Sequence, residues 1–525
     1  MEMRDKVRLS LEKHGGNVSA VSRELGINRS TVAYHRAKLG MDKPLASGQV
    51  RALDEEVLDL PKKGKVKRYL LTSAQNNTRL HGHLWDNLLA FAEHVNAEIL
   101  VSTYTYNKTA YGKLAVKRGT ADHDKELWYD ERIEDFVCDR RTVLAPGLVF
   151  CGEMNILPTA ENPLEGFETY TGRRSGIFPH AKFAMRSIAT MKGEGTKFNY
   201  TTGTCTQRNY IQKKAGLKAE HRHSYGALLV EVDSDGHWWV RQLNADDRGS
   251  FQDLDVRVEG GKCIEGQQVE AITWGDVHVA QLEPTVRSLA WGEQGMLDTL
   301  RPKFQFIHDL LDGVSFTHHD RGNPHVRFKK FLAGQDDVVA ELKEAAAFLK
   351  EAERPWCQTV VVDSNHDGWL MRWLREHDYR TDPRNAVFFL ESQLAVYRAL
   401  ESRERGFCLV EHVMRKLDCP RGTKFLRTDE SFKTCRNSIE NGMHGHLGPD
   451  GARGNAQSFS RMGRKANTAH SHSASIHDGL YVAGASCSLD QDYNAGPSSW
   501  SHSHIVTYPS GKRAIVTVWA GKWRA

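Results

Sequence analysis

Histidine, aspartate and asparagine residues cluster in five short segments of the C-terminal half of the chain. The segments are Asp276-Val277-His278, His308-Asp309-Leu310-Leu311-Asp312, Asn365-His366-Asp367, His444-Gly445-His446 and His470-Ser471-His472. Such mixed nitrogen and oxygen donors suit Mn²⁺, Fe or Zn²⁺ better than Mg²⁺. Two divalent ions about 3.5–4 Å apart can hold both the attacking and the leaving oxygen of a phosphoryl displacement. The residue types therefore predict a two-metal centre for phosphoester chemistry.

Apolar runs precede three of these segments and predict the strands that position them. Strands are expected at 269–274, 304–307 and 359–362, separated by helices at 283–300 and 336–353. Open α/β sheets carry their sites at the carboxyl ends of parallel strands, so the three segments should meet at one sheet edge. Another strand is expected just after the last segment, at 479–483.

These motifs, in this order over residues 268–525, resemble those of the calcineurin-like metallophosphoesterase superfamily. The resemblance implies a four-layer α/β/β/α sandwich and two divalent ions, Mn²⁺ first, with Fe, Zn²⁺ or Mg²⁺ as alternatives. The implied ligands are Asp276, His278 and His472 for the first ion, Asn365, His444 and His470 for the second, and Asp309 as the bridge between them. The resemblance also implies that a metal-bound hydroxide attacks phosphorus while His366 protonates the leaving oxygen.

The sequence departs from the superfamily motifs at three places. His308, Ser364 and Ala469 stand where the motifs have glycine, and none of these changes removes a ligand. The family usually uses the first histidine of His-Gly-His, which favours His444 over His446. Other residues are interpreted as structural, namely Asp367, His502 and His504. For His318, His319 and His325 a structural or surface role is the interpretation, and contact with substrate in the cleft is the alternative.

The first 43 residues predict a small all-α domain of the helix-turn-helix type. Helices are expected at 4–14, 18–25 and 29–39, with Asn17 as an N-cap and Gly26 in the turn. Nine Lys and Arg against five Asp and Glu give this segment a net charge of +4. Its third helix offers five residues to phosphates and base edges, namely Arg29, Ser30, Thr31, His35 and Lys38. DNA binding is the prediction, and a helical bundle for protein contacts is the alternative.

The middle of the chain is predicted in less detail. Proline, serine and glycine indicate a linker at 44–66, and 67–267 is expected to be an α/β region without an assigned role. It begins with a strand around 69–72, a helix at about 84–95 and a strand at 99–104. A hairpin that turns at Asp235-Gly236 is expected across 226–243.

The whole layout is similar to phage-encoded metallophosphoesterases of the pre-early DNA-transfer type. The residues at 73–77, at 444–454 and around His470 carry this narrower resemblance. It implies a manganese-type DNase that degrades host DNA or serves DNA transfer, works in the host cytoplasm, and is compatible with a homo-oligomer. Two alternatives stay open, a phosphomonoesterase or nucleotide phosphodiesterase and a non-catalytic DNA-binding regulator.

Bulk composition limits the class of protein. The chain has 525 residues, a formal net charge of +5 and nine cysteines, with no Cys-x-x-Cys pair. These features predict a reduced, cytoplasmic chain without a thiolate zinc site. No apolar run approaches the roughly 18 residues that a membrane helix needs, and the charged N-terminus does not read as a secretory signal.

Overall fold

A computed structural model describes residues 3–14, 17–28, 31–32, 35–36, 39, 55–106, 128–320, 322–491 and 493–525. They fall into two compact units, Met1–Asp54 and Glu55–Ala525. None of the described helices combines the length and apolarity needed to span a bilayer.

The N-terminal unit contains the predicted helices α1 (Met3–Lys13) and α2 (Val18–Leu25). The Asn17 side chain accepts hydrogen bonds from the backbone N–H groups of Ser19 and Ala20, and Gly26 ends α2 with φ of 62°. The buried core of this unit is a cluster of Val7, Leu11, Val21 and Val32, against which Val18, Leu25 and Ile27 pack. Of the predicted third helix, residues 31–32 and 35–36 are described and are helical.

The larger unit is a mixed α/β structure. Its helices are α3 (Gly82–Val95), α4 (Lys214–Arg222), α5 (Pro284–Trp291), α6 (Met296–Leu300), α7 (Pro324–Ala333), α8 (Val338–Ala352), α9 (Asn365–Glu376), α10 (Ala386–Glu401), α11 (Leu409–Lys416) and α12 (Ala456–Ser460). Its strands up to the middle of the chain are β1 (Glu55–Val57), β2 (Val66–Gln75), β3 (Ala97–Tyr104), β4 (Arg141–Ala145), β5 (Leu148–Cys151), β6 (Ser175–Phe178), β7 (Met185–Ile188), β8 (Lys197–Thr201), β9 (Gly226–Asp233), β10 (Trp238–Asn244), β11 (Phe251–Asp253), β12 (Val256–Glu259) and β13 (Lys262–Ile264). The remaining strands are β14 (Ala271–Thr273), β15 (Phe304–Ile307), β16 (Gln358–Val361), β17 (Lys424–Phe425), β18 (Lys433–Thr434), β19 (Ile439–Glu440), β20 (Lys465–Thr468), β21 (Ser475–His477), β22 (Leu480–Val482), β23 (Ser503–Thr507) and β24 (Arg513–Thr517).

The predicted β-α-β-α-β succession forms one half of a six-stranded sheet. The strand order is β17-β16-β15-β14-β23-β24. Strands β14 to β17 are parallel, whereas β23 runs antiparallel to β14 and pairs with β24 in a hairpin. The carboxyl ends of β14, β15 and β16 therefore lie side by side, as the sequence predicts.

The other strands form three more sheets. The largest has the order β1-β4-β5-β6-β8-β7-β21-β22-β20-β19-β18. A four-stranded sheet, β10-β9-β2-β3, contains the predicted hairpin, and β11, β12 and β13 form a small antiparallel sheet.

Side chains on opposite faces of the strands hold these layers together. Alternate residues of β2 illustrate the pattern, since Tyr69 and Leu71 pack into the cluster shared with the largest sheet. Leu70 and Ala74 belong instead to the cluster that includes α3. In the six-stranded sheet, helices α5, α6 and α8 to α11 cover one face, and Ile505 joins the cluster of the largest sheet. The layers follow in this order: the helices, then the six-stranded and four-stranded sheets as neighbours in one layer, then the largest sheet.

Three sequence-based boundaries differ from the structure. The boundary at 267/268 does not separate two bodies, because the largest sheet takes strands from both sides of it. Within the predicted linker 44–66, β1 pairs with β4. The helix expected at 283–300 is broken into α5 and α6, where Gly292 and Gly295 approach backbone oxygens so closely that a Cβ would collide with them.

Candidate metal centre

The site begins where β14 ends. Gly275 lies against the backbone of Ala485, and a Cβ at this position would be 2.7 Å from that backbone. The next residue, Asp276, donates its N–H to the carbonyl oxygen of Gly484 at 3.1 Å. The strand end is thereby fixed against the loop after β22, and the Asp276 carboxylate is fully buried.

The first predicted ligand set is a compact buried group. Donor atoms of Asp276, His278, Asp309 and His472 all lie within 4.8 Å of one another. Nε2 of His472 is 3.1 Å from Oδ2 of Asp276 and 3.2 Å from Nε2 of His278. Oδ2 of Asp309 is 3.5 Å from Nε2 of His278. Residues that are almost 200 positions apart in the chain thus meet in one cluster.

The second predicted set is centred on His444. Its Nε2 is 3.0 Å from Oδ1 of Asn365 and 3.2 Å from Oδ2 of Asp309. The ring of His470 lies 5.1 Å from the His444 ring, centre to centre, and is half-buried. The ring centre of His446 is 5.3 Å from that of His444, and His446 lines an open cavity. Asp309 and Asn365 therefore contact the first histidine of His-Gly-His.

Four of the seven predicted ligands have a left-handed backbone. The φ angles are 43° at His278, 45° at Asp309, 72° at His470 and 56° at His472. Residues other than glycine rarely adopt this conformation, which costs on the order of 1–3 kcal/mol where the surroundings enforce it. Such strain can persist at functional sites, and here it is found at four residues of one cluster.

The cluster leaves polar atoms without hydrogen bonds. Oδ1 of Asp309 and Nδ1 of His472 are buried and have no hydrogen-bond partner, and the polar atoms nearest to the two oxygens of Asp276 are imidazole nitrogens of the cluster, at 3.1 and 3.7 Å. Buried polar groups are otherwise nearly always satisfied. Carboxylate oxygens that face closely spaced imidazole nitrogens fit divalent cations, because both groups are electron-pair donors.

Charges inside the cluster are balanced by histidines. Burial acts to raise the pKa of Asp309, but the neighbouring rings of His444, His366 and His278 hold this pKa well below its usual range. Burial acts to lower the pKa of His278, yet the carboxylate of Asp309 raises it to about 9. The pKa of His444 is raised by Asp309 and Asp276 in the same way. The carboxylates thus favour the protonated form of both histidines.

His366 lies beside the first ligand set, at the start of α9. Its Nδ1 donates to the backbone oxygen of Asp312 at 2.7 Å, and its ring centre is 4.4 Å from that of His278. Trp369 packs on the other side, with a ring-centre distance of 3.8 Å. Burial lowers the pKa of His366 to about 4.

Asp312 and Asp367 contact residues of the site and fix their orientation. Oδ1 of Asp312 is 3.3 Å from Nδ1 of His278, which fixes the orientation of that ring. Oδ1 of Asp367 accepts a hydrogen bond from the backbone N–H of Leu311 at 2.9 Å. Burial and the nearby Asp309 raise the pKa of Asp367 to about 7. Asp367 orients the loop after β15, in line with its interpretation as a structural residue.

His308 belongs to the cluster although the sequence motifs do not predict a role for it. It stands where the motifs have glycine, and its fully buried ring forms a group with Asp276 and His444. Its Nδ1 lies 3.3 Å from Nδ1 of His444. Burial lowers the pKa of His308 to about 3, so the ring is neutral and its Nδ1 can accept a hydrogen bond from Nδ1 of His444. The only sequence signal was a histidine directly before the bridging aspartate.

The other predicted residues lie away from the cluster or outside the described residues. His318 and His319 pack against Trp369, and His325 is exposed at the start of α7. Nδ1 of His504 accepts the N–H of Gly275 at 3.1 Å, so this histidine supports the strand end. Of the predicted DNA contacts, Thr31 and His35 are half-buried on described helical residues. Arg29, Ser30 and Lys38 lie outside the described residues.

Two comparisons with known proteins bear on the chain. Residues 9–39 match the family model described as "Bacterial regulatory protein, Fis family", which is a helix-turn-helix model and agrees with the predicted DNA-binding domain. The chain is also similar to "Protein A1" of Escherichia phage T5. The two sequences are 39% identical over 471 residues, which cover 87% of this chain and 83% of that protein.

Proposed function

The chain belongs to the family of Protein A1 of Escherichia phage T5, and from that premise we propose that it is a two-metal phosphodiesterase that cleaves DNA. The proposal includes the four-layer metallophosphoesterase sandwich that the resemblance implies. Mn²⁺ is the proposed ion, with Fe, Zn²⁺ or Mg²⁺ as alternatives, because the donor set mixes imidazole with carboxylate and amide oxygens. Degradation of host DNA or DNA transfer is the proposed setting, and a homo-oligomer stays a prediction.

One observation carries the proposal. Six of the seven predicted ligands, which come from five separate segments, contact one another within 3.5 Å in a buried cluster, where Oδ1 of Asp309 has no hydrogen-bond partner. Assembling such a cluster costs desolvation and backbone strain. Metal binding offsets this cost, whereas a purely structural core would not need an unpaired carboxylate oxygen.

The residues divide the work between two ions. The first ion would be held by Asp276, His278 and His472. The second ion would be held by Asn365, His444 and His470, and Asp309 would bind both ions. Two divalent cations would activate a water and neutralise the charge that develops around phosphorus. Asp312 orients His278, and His308 can accept a hydrogen bond from Nδ1 of His444, so that the opposite nitrogen of each ring faces Asp309.

His366 donates a proton to the leaving group. The Asp312 carbonyl engages Nδ1, so Nε2 is the nitrogen that can meet a substrate oxygen. With a pKa of about 4, the ring is neutral in the free protein at pH 7. The anionic phosphodiester beside it favours the protonated ring, which then donates from Nε2 to the departing oxygen.

DNA is the proposed substrate because of the N-terminal unit. A helix-turn-helix domain brings a chain to duplex DNA through phosphate contacts and a helix in the major groove. A phosphomonoesterase or a nucleotide phosphodiesterase has no need of such a module. A regulator without catalysis has no need of the metal ligands.

The test is an assay of purified protein on linear and circular DNA with Mn²⁺, Mg²⁺ or Zn²⁺. The proposal predicts cleavage with Mn²⁺, its loss in EDTA, and its loss in the Asp309→Ala variant. Losing the bridging carboxylate removes several kcal/mol of charge stabilisation, so activity should fall by roughly 10³-fold or more. Hydrolysis of p-nitrophenyl phosphate with no cleavage of any DNA would favour the monoesterase. No hydrolysis with any of the metals would favour the regulator.

A further inference from the structure

A cavity of about 550 Å³ lies beside the candidate metal centre. Its wall is rich in aromatic rings, those of Phe198, Tyr200, Trp238, Trp239, Trp500 and Trp519. We refer to this space, lined by these six residues, as the tryptophan cavity. Its size is within the range of roughly 300–1,000 Å³ that is usual for small-molecule sites.

Trp500 connects the tryptophan cavity to the metal centre. Its ring centre is 4.2 Å from that of His472, in an edge-to-face arrangement. Tyr493 lies on the same indole at 5.7 Å. The Thr196 hydroxyl donates to the backbone oxygen of Trp500, which fastens the loop. The cavity therefore starts one side chain away from a proposed metal ligand.

Trp519 forms an accessible part of the wall. Its side chain is 43% exposed, and its ring packs on Gly195, where an added Cβ would lie 2.9 Å from the ring. Reciprocal backbone hydrogen bonds of 2.8 and 2.9 Å with Lys522 hold the C-terminal turn that carries it. An indole in this position is held in place while one part of it faces solvent.

The cations around the tryptophan cavity are already engaged. Lys192 pairs with Asp490, and Arg173 lies 3.3 Å from Glu194. The ammonium group of Lys197 donates to the backbone oxygens of Glu168 and Gly172. Among the described residues, the cavity thus offers flat apolar surface rather than free positive charge. It suits an uncharged planar group better than a phosphate.

We propose that the tryptophan cavity binds an unpaired nucleobase of the DNA strand whose phosphodiester lies at the metal centre. This inference rests on the proposed function and names the form of its substrate. A base inside a duplex is stacked and paired, so only a single-stranded or locally opened strand can place one there. Tryptophan faces accept any base, which gives binding without a sequence preference.

The test compares Trp519→Ala with Trp356→Ala in the full-length protein. Trp356 is a matched control, since it is 37% exposed and its ring lies under Arg301, away from the cavity lining. Binding of a five-nucleotide oligothymidylate, and of an abasic strand of equal length, is measured by calorimetry in EDTA. Trp519→Ala should weaken oligothymidylate binding by roughly 5- to 100-fold, the usual effect of losing one base–aromatic stack. It should leave binding of the abasic strand unchanged, and Trp356→Ala should change neither.

Two further measurements distinguish a loss of base stacking from other causes of weaker binding. Trp519→Phe retains an aromatic face and should restore most of the oligothymidylate affinity, whereas a fault in folding would not be specific to strands with bases. Hydrolysis of bis(p-nitrophenyl) phosphate with Mn²⁺ by the unaltered protein tests the proposed function separately from base binding. Equal oligothymidylate affinity in the unaltered protein and Trp519→Ala would overturn the inference and leave the phosphodiesterase proposal intact. Absence of bis(p-nitrophenyl) phosphate and DNA hydrolysis in the unaltered protein would instead refute the proposed function.

Discussion

The two halves of the candidate metal centre differ in burial and in charge. Asp276, His278 and His472 are almost completely buried, and they include a carboxylate of their own. In the other half only His444 is buried to that degree, whereas Asn365 and His470 are half-buried and carry no negative charge. A charged, enclosed donor set should retain a cation, and a neutral, open one should exchange it. We therefore expect the second half to exchange its cation more readily than the first.

The largest expected effect comes from the buried half. Asp276→Asn keeps the size of the side chain but removes the only carboxylate that belongs to the first ion alone. We expect DNA cleavage to fall below detection, by roughly 10³-fold or more, and excess Mn²⁺ not to restore it. In His470→Ala, by contrast, high Mn²⁺ should recover a large part of the activity. Equal recovery in both variants, measured as rate against Mn²⁺ concentration, would remove the distinction between the halves.

His366 tests whether the residues beside the buried half act on the substrate or only on the metal. In His366→Ala we expect turnover to fall by roughly 10²–10⁴-fold, the usual worth of acid–base help. Bound metal, measured by elemental analysis, should stay the same as in the unaltered protein. If metal is lost together with activity, His366 belongs to the ligand set and its role was assigned incorrectly.

His308 tests the difference between the two halves at the second ion. Its ring can accept a hydrogen bond from Nδ1 of His444, and such orienting partners are worth roughly 10- to 100-fold in metal affinity. His308→Ala should weaken Mn²⁺ binding by that factor at the weaker site and leave the tighter site unaffected. His308→Gln, which retains a hydrogen-bond acceptor, is the control that should lose less. A uniform decrease at both sites in a metal titration would contradict the assignment.

The pH dependence of metal binding should be strongest in the buried half. His278 must lose a proton before it can bind a cation, and in the metal-free protein the carboxylate of Asp309, acting against burial, raises its pKa to about 9. Affinity should therefore rise with pH, by about tenfold per pH unit for one displaced proton, and level off above pH 9. Calorimetry in buffers of different ionisation heat would detect the released proton. Affinity that is independent of pH between 7 and 9 would contradict this charge balance.

Much of this arrangement follows from the sequence, and the reasons are local. The strand at 304–307 and the N-terminal caps could be predicted because hydrophobic pattern and capping chemistry act over a few residues. The meeting of Asp276 with His472 could be anticipated only through the family resemblance, since nothing local connects residues so far apart. The break between α5 and α6 was missed because the close backbone contacts at Gly292 and Gly295 form only in the folded chain.

Long-range pairing accounts for the other differences. The largest sheet joins β7 to β21 across most of the chain, and no composition change at 267/268 reveals it. The buried position of His308 depends on the partner ring of His444, which comes from a distant loop. The tryptophan cavity is likewise assembled from segments around residues 195, 238, 500 and 519. Each of these features depends on tertiary contacts that pattern and propensity do not encode.

The central claim is that these seven side chains hold a pair of cations, and anomalous scattering from a crystal of the protein grown with Mn²⁺ tests it most directly. The account predicts two manganese peaks about 3.5–4 Å apart, both in contact with Asp309, with the peak beside Asp276, His278 and His472 at the higher occupancy. Manganese bound elsewhere, or no peak beside Asp309 at saturating Mn²⁺, would contradict it.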